Sequence, residues 1–330
     1  MQARLERTRY RLSAPESELP MTWDVAVTTI APSEVVRHFA AVYHALGAGV
    51  VHIHYDDPSV ERLALDGVRE TVCTPDHWHG RRPDAVEHRQ MFNARRAADA
   101  SDAEWLLQCD IDEHLAVQPG ADTVAAALAA LPEDCHTIIV PAVEAVYLEP
   151  PKDFMATFAT PWFKAHTAFN LSKSFWEARY GDRIELTNAG YWAHRRGKPF
   201  VRIAAIDADQ FLPLHNYKGA LAARMGQVRT DALRLRHYDA QPVESWMRKH
   251  LSRLDGTVNA LMMGDKRQLQ AELIRDTAAR GKAELVELYQ QMYCVDPSML
   301  VAGINLGTIV TVPAGDCPAL KSGTEDAAGC

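Results

Sequence analysis

The sequence lacks the short motifs that mark the commonest chemistries of α/β proteins. It contains no GxxxxGK[ST] phosphate loop, no glycine-rich dinucleotide fingerprint and no G-x-S-x-G nucleophile elbow. No apolar run reaches about 18 residues, so no transmembrane helix is expected. The six cysteines form no CxxC pair, which favours reduced thiols and a cytoplasmic protein over a disulfide scaffold.

An excess of positive charge is also missing. Lysine and arginine number 35 against 43 aspartates and glutamates, which gives a formal net charge of −8. General attraction to nucleic acid is therefore not expected, and a diphosphate ligand would need cations placed locally. With 330 residues, 47% of them hydrophobic, the chain is long enough for one large domain with a substantial core.

The two ends of the chain differ from the rest. Residues 1–22 are predicted to be a leader that is too charged for a secretory signal. Its arginines offer a peripheral contact to an acidic membrane surface, and a solvated leader is the other interpretation. Residues 319–330 are small and polar, and this tail is predicted to be disordered.

The first half of the chain alternates between strand and helix patterns. Strands are predicted at 23–30, 49–57, 68–75, 104–112 and 136–147, and helices at 33–46, 59–66, 84–100 (with Asp84 as N-cap) and 121–131. Short connections between such elements give right-handed crossovers and a mainly parallel sheet flanked by helices. Sheets of this kind bind ligands at the carboxyl ends of their strands.

The alternation ends near residue 148. Residues 148–235 are rich in aromatic and basic side chains and are predicted to form loops and short antiparallel strands over the sheet. We therefore divide one domain into an α/β half, 23–147, and a second half, 148–255. Two helices are predicted towards the end of the chain, at 241–254 and 267–292. The second lies in a C-terminal helical segment, 256–318.

The stretch EWLLQCDIDEHL, residues 104–115, runs from a buried strand straight into an acidic group. Asp110 and Asp112 repel one another unless a cation lies between them. A divalent cation that bridges two phosphate oxygens prefers hard oxygen ligands, and a few carboxylates suffice because phosphate and water complete the shell. The alternative is an acidic loop without a ligand, since the tripeptide is common.

Four segments in order resemble bacterial family 2 glycosyltransferases, especially the branch related to family 92. They are TTIAPSEVVRHFAAVYHALGAGVVHIHYDDPS (28–59), HRQMFNARRAADASDAEWLLQCDIDEHL (88–115), RGKPFVRIAAIDADQFLPLH (196–215) and LRHYDAQPVESWMRKHL (235–251). The resemblance implies the nucleotide-sugar-binding fold called GT-A, with Mn²⁺ or Mg²⁺ as cofactor. It also implies a nucleotide-sugar donor, most simply a UDP-sugar, bound by the half 23–147, and a glycan or glycolipid acceptor, bound by the half 148–255.

The resemblance assigns roles to individual residues. The implied metal ligands are Asp110, Asp112 and His237. The residues implied to contact the nucleotide-sugar are Thr28, Thr29, Glu34, Asp56, Arg89, Asp110 and Lys249. One segment departs from the family pattern, which reads Lys-Asn-Glu after the first strand, because only Glu34 of Ala31-Pro32-Ser33-Glu34 matches it.

Transfer with inversion also needs a carboxylate base. Glu144 is the first candidate because it lies in the apolar run VPAVEAVY, where a carboxylate is costly to bury unless it is used or paired. Asp209 is a second candidate, and a satisfied structural carboxylate is the alternative for Glu144. His215 and Trp192 are predicted to line the acceptor pocket.

Three other interpretations start from the same residues. The H-x-H pairs at 52–54 and 77–79 suggest zinc, but no third and fourth ligand follows at suitable spacing. A D-x-D phosphohydrolase would use Asp110 as nucleophile, but that motif normally follows the first strand of its domain rather than the fourth. A binding module without turnover is the third interpretation.

Overall fold

The computed structural model describes residues 21–165, 167–254 and 265–312. Most of the predicted leader and the whole predicted tail lie outside the described residues, as do 256–264 and 313–318 of the C-terminal segment. In the described part of the chain, no helix combines the length and apolar character needed to cross a membrane.

The described chain contains strands and helices in alternation, with helices prevailing towards the C-terminus. The strands are β1 Trp23–Thr29, β2 Val51–Tyr55, β3 Val68–Val72, β4 Trp105–Gln108, β5 Glu113–Val117, β6 Thr137–Val140, β7 Ala142–Ala145, β8 Trp162–Lys164, β9 Lys198–Arg202, β10 Val228–Arg229, β11 Leu233–His237 and β12 Ile309–Thr311. The α-helices are α1 Ser33–Ala45, α2 Val86–Asp99, α3 Val124–Ala129, α4 Phe154–Phe158, α5 Phe169–Tyr180, α6 Gly219–Arg224, α7 Val243–Leu254, α8 Asp265–Ala278, α9 Lys282–Tyr293 and α10 Pro297–Asn305.

The strands form two sheets, and both are mixed. The larger sheet has the order β10-β6-β9-β4-β1-β2-β3. Its strands are parallel except β9, which runs antiparallel between β4 and β6. The smaller sheet has the order β12-β8-β7-β11-β5, and only β7 and β11 are parallel in it. The α/β prediction is confirmed, and the larger sheet is mainly parallel, but the chain also forms a second, mostly antiparallel sheet.

The chain passes directly from the larger to the smaller sheet three times. It does so between β4 and β5, between β6 and β7, and between β10 and β11. Pro141 makes the second crossing, which explains why the strand predicted at 136–147 is in fact two strands. Proline cannot donate to a ladder, so a strand ends or bends there.

Alternating side chains place hydrophobic cores on both faces of the larger sheet. On one face, Val25 and Leu107 pack with Phe39 of α1 and Leu128 of α3. On the other, Ala26 and its neighbours pack against α2. The C-terminal helices cover the smaller sheet in a third core that includes Tyr238, Trp246 and Tyr289.

Several local predictions are wrong, each for an identifiable reason. No helix forms at 59–66, because Glu70 accepts hydrogen bonds from the backbone N–H groups of Leu63 and Ala64 and holds this segment as a loop. Helix α2 begins after Ala85 rather than after Asp84. The helix predicted at 267–292 is divided into α8 and α9 at Gly281, whose φ of 147° lies outside the helical region.

Burial of neutral histidines makes the fold sensitive to mild acid. Burial lowers the pKa of His54 from 6.5 to about 3, with the charges of His77 and His52 acting in the same direction. The unfolded chain therefore binds a proton between these pH values while the folded one does not. The contribution of His54 to the free energy of unfolding is fully present above pH 6.5 and is lost as the pH falls. The loss is about 2 kcal/mol at pH 5. The pKa of five other histidines is also lowered, chiefly by burial: His38, His77, His114, His194 and His215.

We expect His54→Asn to remove this contribution. Between pH 7 and pH 5, its free energy of unfolding in urea should fall by about 2 kcal/mol less than that of the wild type. His88→Asn, at an exposed position on α2, is the matched control and should follow the wild type. Equal pH dependence in all three proteins would contradict the assignment.

Candidate metal and ligand site

The acidic turn after β4 is a crossing between the two sheets. The turn is closed by the backbone N–H of Glu113, which donates to the carbonyl of Asp110 at 3.0 Å. The Glu113 carboxylate in turn accepts the backbone N–H of Asp110 at 2.9 Å. The backbone N–H of Tyr238, just beyond β11, donates to the carbonyl of Asp112 at 2.8 Å. The turn is therefore held from both sides, and its two aspartates face different neighbours.

Asp110 belongs to the larger sheet. Its carboxylate accepts hydrogen bonds from Gln90 Nε2 at 2.7 Å and from Lys198 Nζ at 2.8 Å. Lys198 begins β9 and is 2% exposed. Burial opposes the charge of each partner, but their mutual attraction is stronger, so the pKa of Asp110 is held below its usual value and that of Lys198 is raised. The pair is an ionised salt bridge.

Asp112 belongs to the smaller sheet. Its carboxylate oxygens lie 3.8 Å from His237 Nε2 and 2.9 Å from Lys249 Nζ. Lys249, on α7, also contacts Asp239 at 3.2 Å. The other oxygen of Asp239 accepts a hydrogen bond from the hydroxyl of Tyr293 at 2.6 Å. Burial would raise the pKa of Asp239, but the charges of Lys249, Arg267 and two histidines together lower it well below its usual value.

A third carboxylate, Glu113, lies next to two imidazoles. It is fully buried, and its Oε1 atom, which has no hydrogen-bond partner in the described chain, is 3.9 Å from His194 Nε2. The ring of His194 stacks on that of His237, with centroids 5.4 Å apart. Burial, with the neighbouring His215 and His237, lowers the pKa of His194 well below its usual value. His194 is therefore neutral at pH 7, the form in which imidazole binds metals.

Two groups of side chains place potential ligand atoms within 4.8 Å of one another in the described part of the chain. One is Asp112, His237 and Asp239, and the other is Glu113, His194 and His237. Carboxylate oxygens with one imidazole suit Mn²⁺, and oxygen ligands alone suit Mg²⁺. The buried Nδ1 of His237 has no hydrogen-bond partner among the described residues. The donor set therefore fits a divalent cation, and His237 belongs to both groups.

The prediction for the metal ligands is changed in one respect. Asp112 and His237 are brought together, but Asp110 belongs to neither group. Its two oxygens accept hydrogen bonds from Gln90 and Lys198, on the side of the turn that faces the larger sheet. Asp110 is thus placed to fix the turn and to position a buried lysine.

The predicted nucleotide contacts lie at the same edge of the larger sheet, in a second polar group. Asp56 follows β2, and its carboxylate is bound by Arg89 at 2.8 Å and by Arg82 at 2.9 Å. Thr28 accepts a hydrogen bond from the Asn93 side chain at 3.0 Å. Two further predicted residues lie where β1 meets α1: the Thr29 hydroxyl accepts the backbone N–H of Ala31, and Glu34 is exposed in the first turn of α1. Their contact with a nucleotide stays a prediction.

Glu144 is paired rather than free. It is 1% exposed, and Oε1 accepts hydrogen bonds from Lys164 Nζ and from the backbone N–H of Trp192. Oε2 accepts the backbone N–H of Ala193 at 2.6 Å. The alternative interpretation, a satisfied structural carboxylate, accounts for all of these contacts. A base needs a free oxygen facing the acceptor, and neither oxygen of Glu144 is free.

The other predicted residues divide between site and core. His215 lies at the site, with its ring 4.2 Å from that of His194. Trp192 is 1% exposed within the core over the smaller sheet, so the prediction that it stacks on an acceptor sugar is wrong. Asp209 is exposed on a loop. No described contact brings Asp209 to the acidic turn, so its role as a base stays a prediction.

Four residues of the site were not predicted from the sequence as ligands or charge partners: Glu113, His194, Lys198 and Asp239. Three of them lie in segments quoted for the resemblance, within "DIDEHL", "GKPFVR" and "HYDA". Lys198 stands directly before the apolar residues of a strand, and this position could have indicated a buried lysine with an acidic partner. His194 lies in the basic stretch WAHRRGK, where nothing in the sequence distinguishes it as a ligand.

No family model matches the chain, and no curated protein does. Among solved structures the chain is similar to the crystal structure of UDP-glucose pyrophosphorylase complexed with UDP-glucose. The two are 8% identical, the alignment covers 71% of this chain and 99% of the other, and the TM-score is 0.29. A TM-score this low carries no argument about fold or function, so the functional proposal is based on the site.

Proposed function

We propose that the protein is a metal-dependent glycosyltransferase that uses a nucleotide-diphosphate sugar, most simply a UDP-sugar, and transfers the sugar to a hydroxyl of a glycan or glycolipid. The proposal includes a GT-A-type arrangement of the larger sheet. The observation that carries it is the grouping of Asp112, His237, Asp239 and Lys249 beside the carboxyl end of β4. The segment resemblance to family 2 glycosyltransferases supports the same reading.

The charges of this edge suit a diphosphate with a bound cation. Asp112, His237 and Asp239 would hold Mn²⁺ or Mg²⁺, which stabilises the negative charge that develops on a leaving diphosphate. Lys249 lies against the same two carboxylates and supplies a positive charge from α7. On the other side of the turn, Lys198 holds Asp110 in place.

The first test is thermal unfolding of the wild type with UDP, GDP or CMP, each with and without Mn²⁺. A ligand at about a hundred times its dissociation constant stabilises the folded state by about 2.7 kcal/mol, which gives a shift of several degrees. We expect one nucleotide to raise the unfolding temperature only when Mn²⁺ is present.

Turnover separates this function from the two alternatives. Incubation with the matching nucleotide-sugar and Mn²⁺ should release the nucleotide, slowly with water and faster with an acceptor. Binding without any release would indicate a binding module. Phosphate release from simple phosphate esters, with no response to any nucleotide, would favour the phosphohydrolase and contradict the proposal.

A further inference from the structure

A cavity of about 350 Å³ lies near the carboxyl ends of β6 and β10, two strands along the larger sheet from the acidic turn. Its lining residues are Ile139, Arg196, Asn216, Gln227, Val228 and Arg229. Small-molecule sites commonly occupy about 300–1,000 Å³, so the cavity is large enough for a group of the size of one sugar. Neither the metal ligands nor the predicted nucleotide contacts line it.

The cavity is positively charged in a protein whose net charge is −8. Arg196 and Arg229 are in its wall, and no carboxylate of the described chain lies within salt-bridge distance of either. Burial lowers the pKa of Arg229, and the charges of Arg234 and Arg195 lower it further. Asp231, whose charge acts in the opposite direction, is itself paired with Arg234 at 3.0 Å. An anion in the cavity would reduce the repulsion between Arg229 and the neighbouring arginines.

The polar walls are held in position by one residue. The Asn216 side chain donates to the carbonyl of Tyr217 at 2.8 Å, which leaves its amide oxygen for a ligand hydroxyl. Gln227 accepts the backbone N–H of Tyr217 at 2.7 Å. Tyr217 is itself 5% exposed. The cavity therefore has preorganised amides beside its guanidinium groups, a combination suited to a sugar that carries a charge.

The cavity is connected to the metal site along the chain at Gly197. Gly197 lies between Arg196, which lines the cavity, and Lys198, which contacts Asp110 of the acidic turn, and its carbonyl is 2.8 Å from His215 Nδ1. Gly197 has a φ of 84°, and a Cβ there would lie 2.0 Å from the carbonyl oxygen of Val140, so the backbone at this point is packed against β6. None of the candidate metal ligands lines the cavity, so a ligand bound there would not need to displace them.

We propose that this arginine-lined cavity binds an anionic group on the acceptor, a carboxylate or a phosphate carried by a sugar, and so selects acidic acceptors. Guanidinium groups bind both oxyanions through paired hydrogen bonds. That the bound sugar is an acceptor rests on the proposed function, whereas the binding of a sugar oxyanion rests on the cavity alone.

The test is calorimetric titration of the full chain, without metal and at low ionic strength, with glucuronate, glucose 6-phosphate and uncharged glucose. We expect both anions to bind and glucose not to bind, and the tighter anion identifies the class. Arg229→Gln and Arg196→Gln should each weaken anion binding roughly 10- to 100-fold. Arg62→Gln, which removes an exposed arginine outside the cavity, is the matched control and should bind like the wild type.

Three results would overturn the inference: glucose binding as tightly as the anions, anion binding that survives both arginine variants, or displacement of glucuronate by UDP with Mn²⁺, which would make the cavity part of the donor site. The two proposals fail separately. Nucleotide binding with no anion binding removes only the acidic-acceptor inference. Anion binding with no nucleotide response removes only the glycosyltransferase proposal.

Discussion

Glu144→Gln is expected to lower the free energy of unfolding by about 3–5 kcal/mol, the range for removing one partner of a buried ion pair. Lys164 is completely buried, and its Nζ donates to Glu144 and, at 2.9 Å, to the carbonyl of Gly190. Glutamine keeps the shape of the side chain but leaves the ammonium without its counter-ion. In the wild type, the backbone N–H groups of Trp192 and Ala193 donate to different oxygens of Glu144. Glutamine has only one side-chain oxygen, so one of these two hydrogen bonds is lost. Urea denaturation of purified wild type and variant measures the difference.

A second variant separates pairing from catalysis. In Glu144→Gln combined with Lys164→Met no uncompensated charge is buried, so we expect at least half of the lost stability to return. If the single variant stayed within 1 kcal/mol of wild type while turnover disappeared, the structural role would be wrong and the base hypothesis would stand again.

Asp112→Asn is expected to weaken Mn²⁺ binding at least a hundredfold. Loss of an outer partner of a metal site costs about 10- to 100-fold in affinity, and loss of a charged ligand should cost more. Asn removes the negative charge that Asp112 places 3.8 Å from His237 and 2.9 Å from Lys249. Titration of the protein with Mn²⁺, followed by electron paramagnetic resonance of the free ion, gives the affinity directly.

Two comparisons make this result specific. Asp122→Asn makes the same substitution at an exposed position and should bind Mn²⁺ like the wild type. Asp110→Asn should have a smaller effect than Asp112→Asn, because Asp110 is bound by Gln90 and Lys198 and belongs to neither ligand group. A larger loss in Asp110→Asn would mean that the ion lies on the other side of the turn.

Much of the first half of the fold is predictable because each element there has a strong local pattern. The apolar residues of β1 and β2 and the periodicity of α1 are local, and these elements form close to their predicted bounds, whereas the strand predicted at 104–112 ends at Gln108. The division into two sheets is not local. It depends on β5, whose buried Glu113 and His114 look like a polar loop in sequence, and on Pro141, which could have been recognised as a strand break.

The residues of the site that could be predicted are ligand-type or charged residues within the segments quoted for the resemblance. Asp112 comes from one quoted segment and His237 and Lys249 from another, and the resemblance brought them together before the geometry did. Their partners were harder to find. Asp239 contacts Lys249 from the same segment of the chain, whereas Lys198 contacts Asp110 only because β9 runs antiparallel beside β4. The second contact depends on the order of strands in the sheet, which no local sequence pattern contains.

The crossing between β4 and β5 has a consequence for how this chain can change in length. Glu113 pairs with His237 and Leu115 with Leu235, and both lie on one face of β5, whereas His114 and Ala116 lie on the other, so the turn fixes which residues each face presents. Inserting one residue among Asp110–Asp112 would exchange the two faces of β5, because side chains alternate along a strand. The number of residues in this turn is therefore constrained in the same way as the register of a strand. Length variation between homologues should be found elsewhere in the chain.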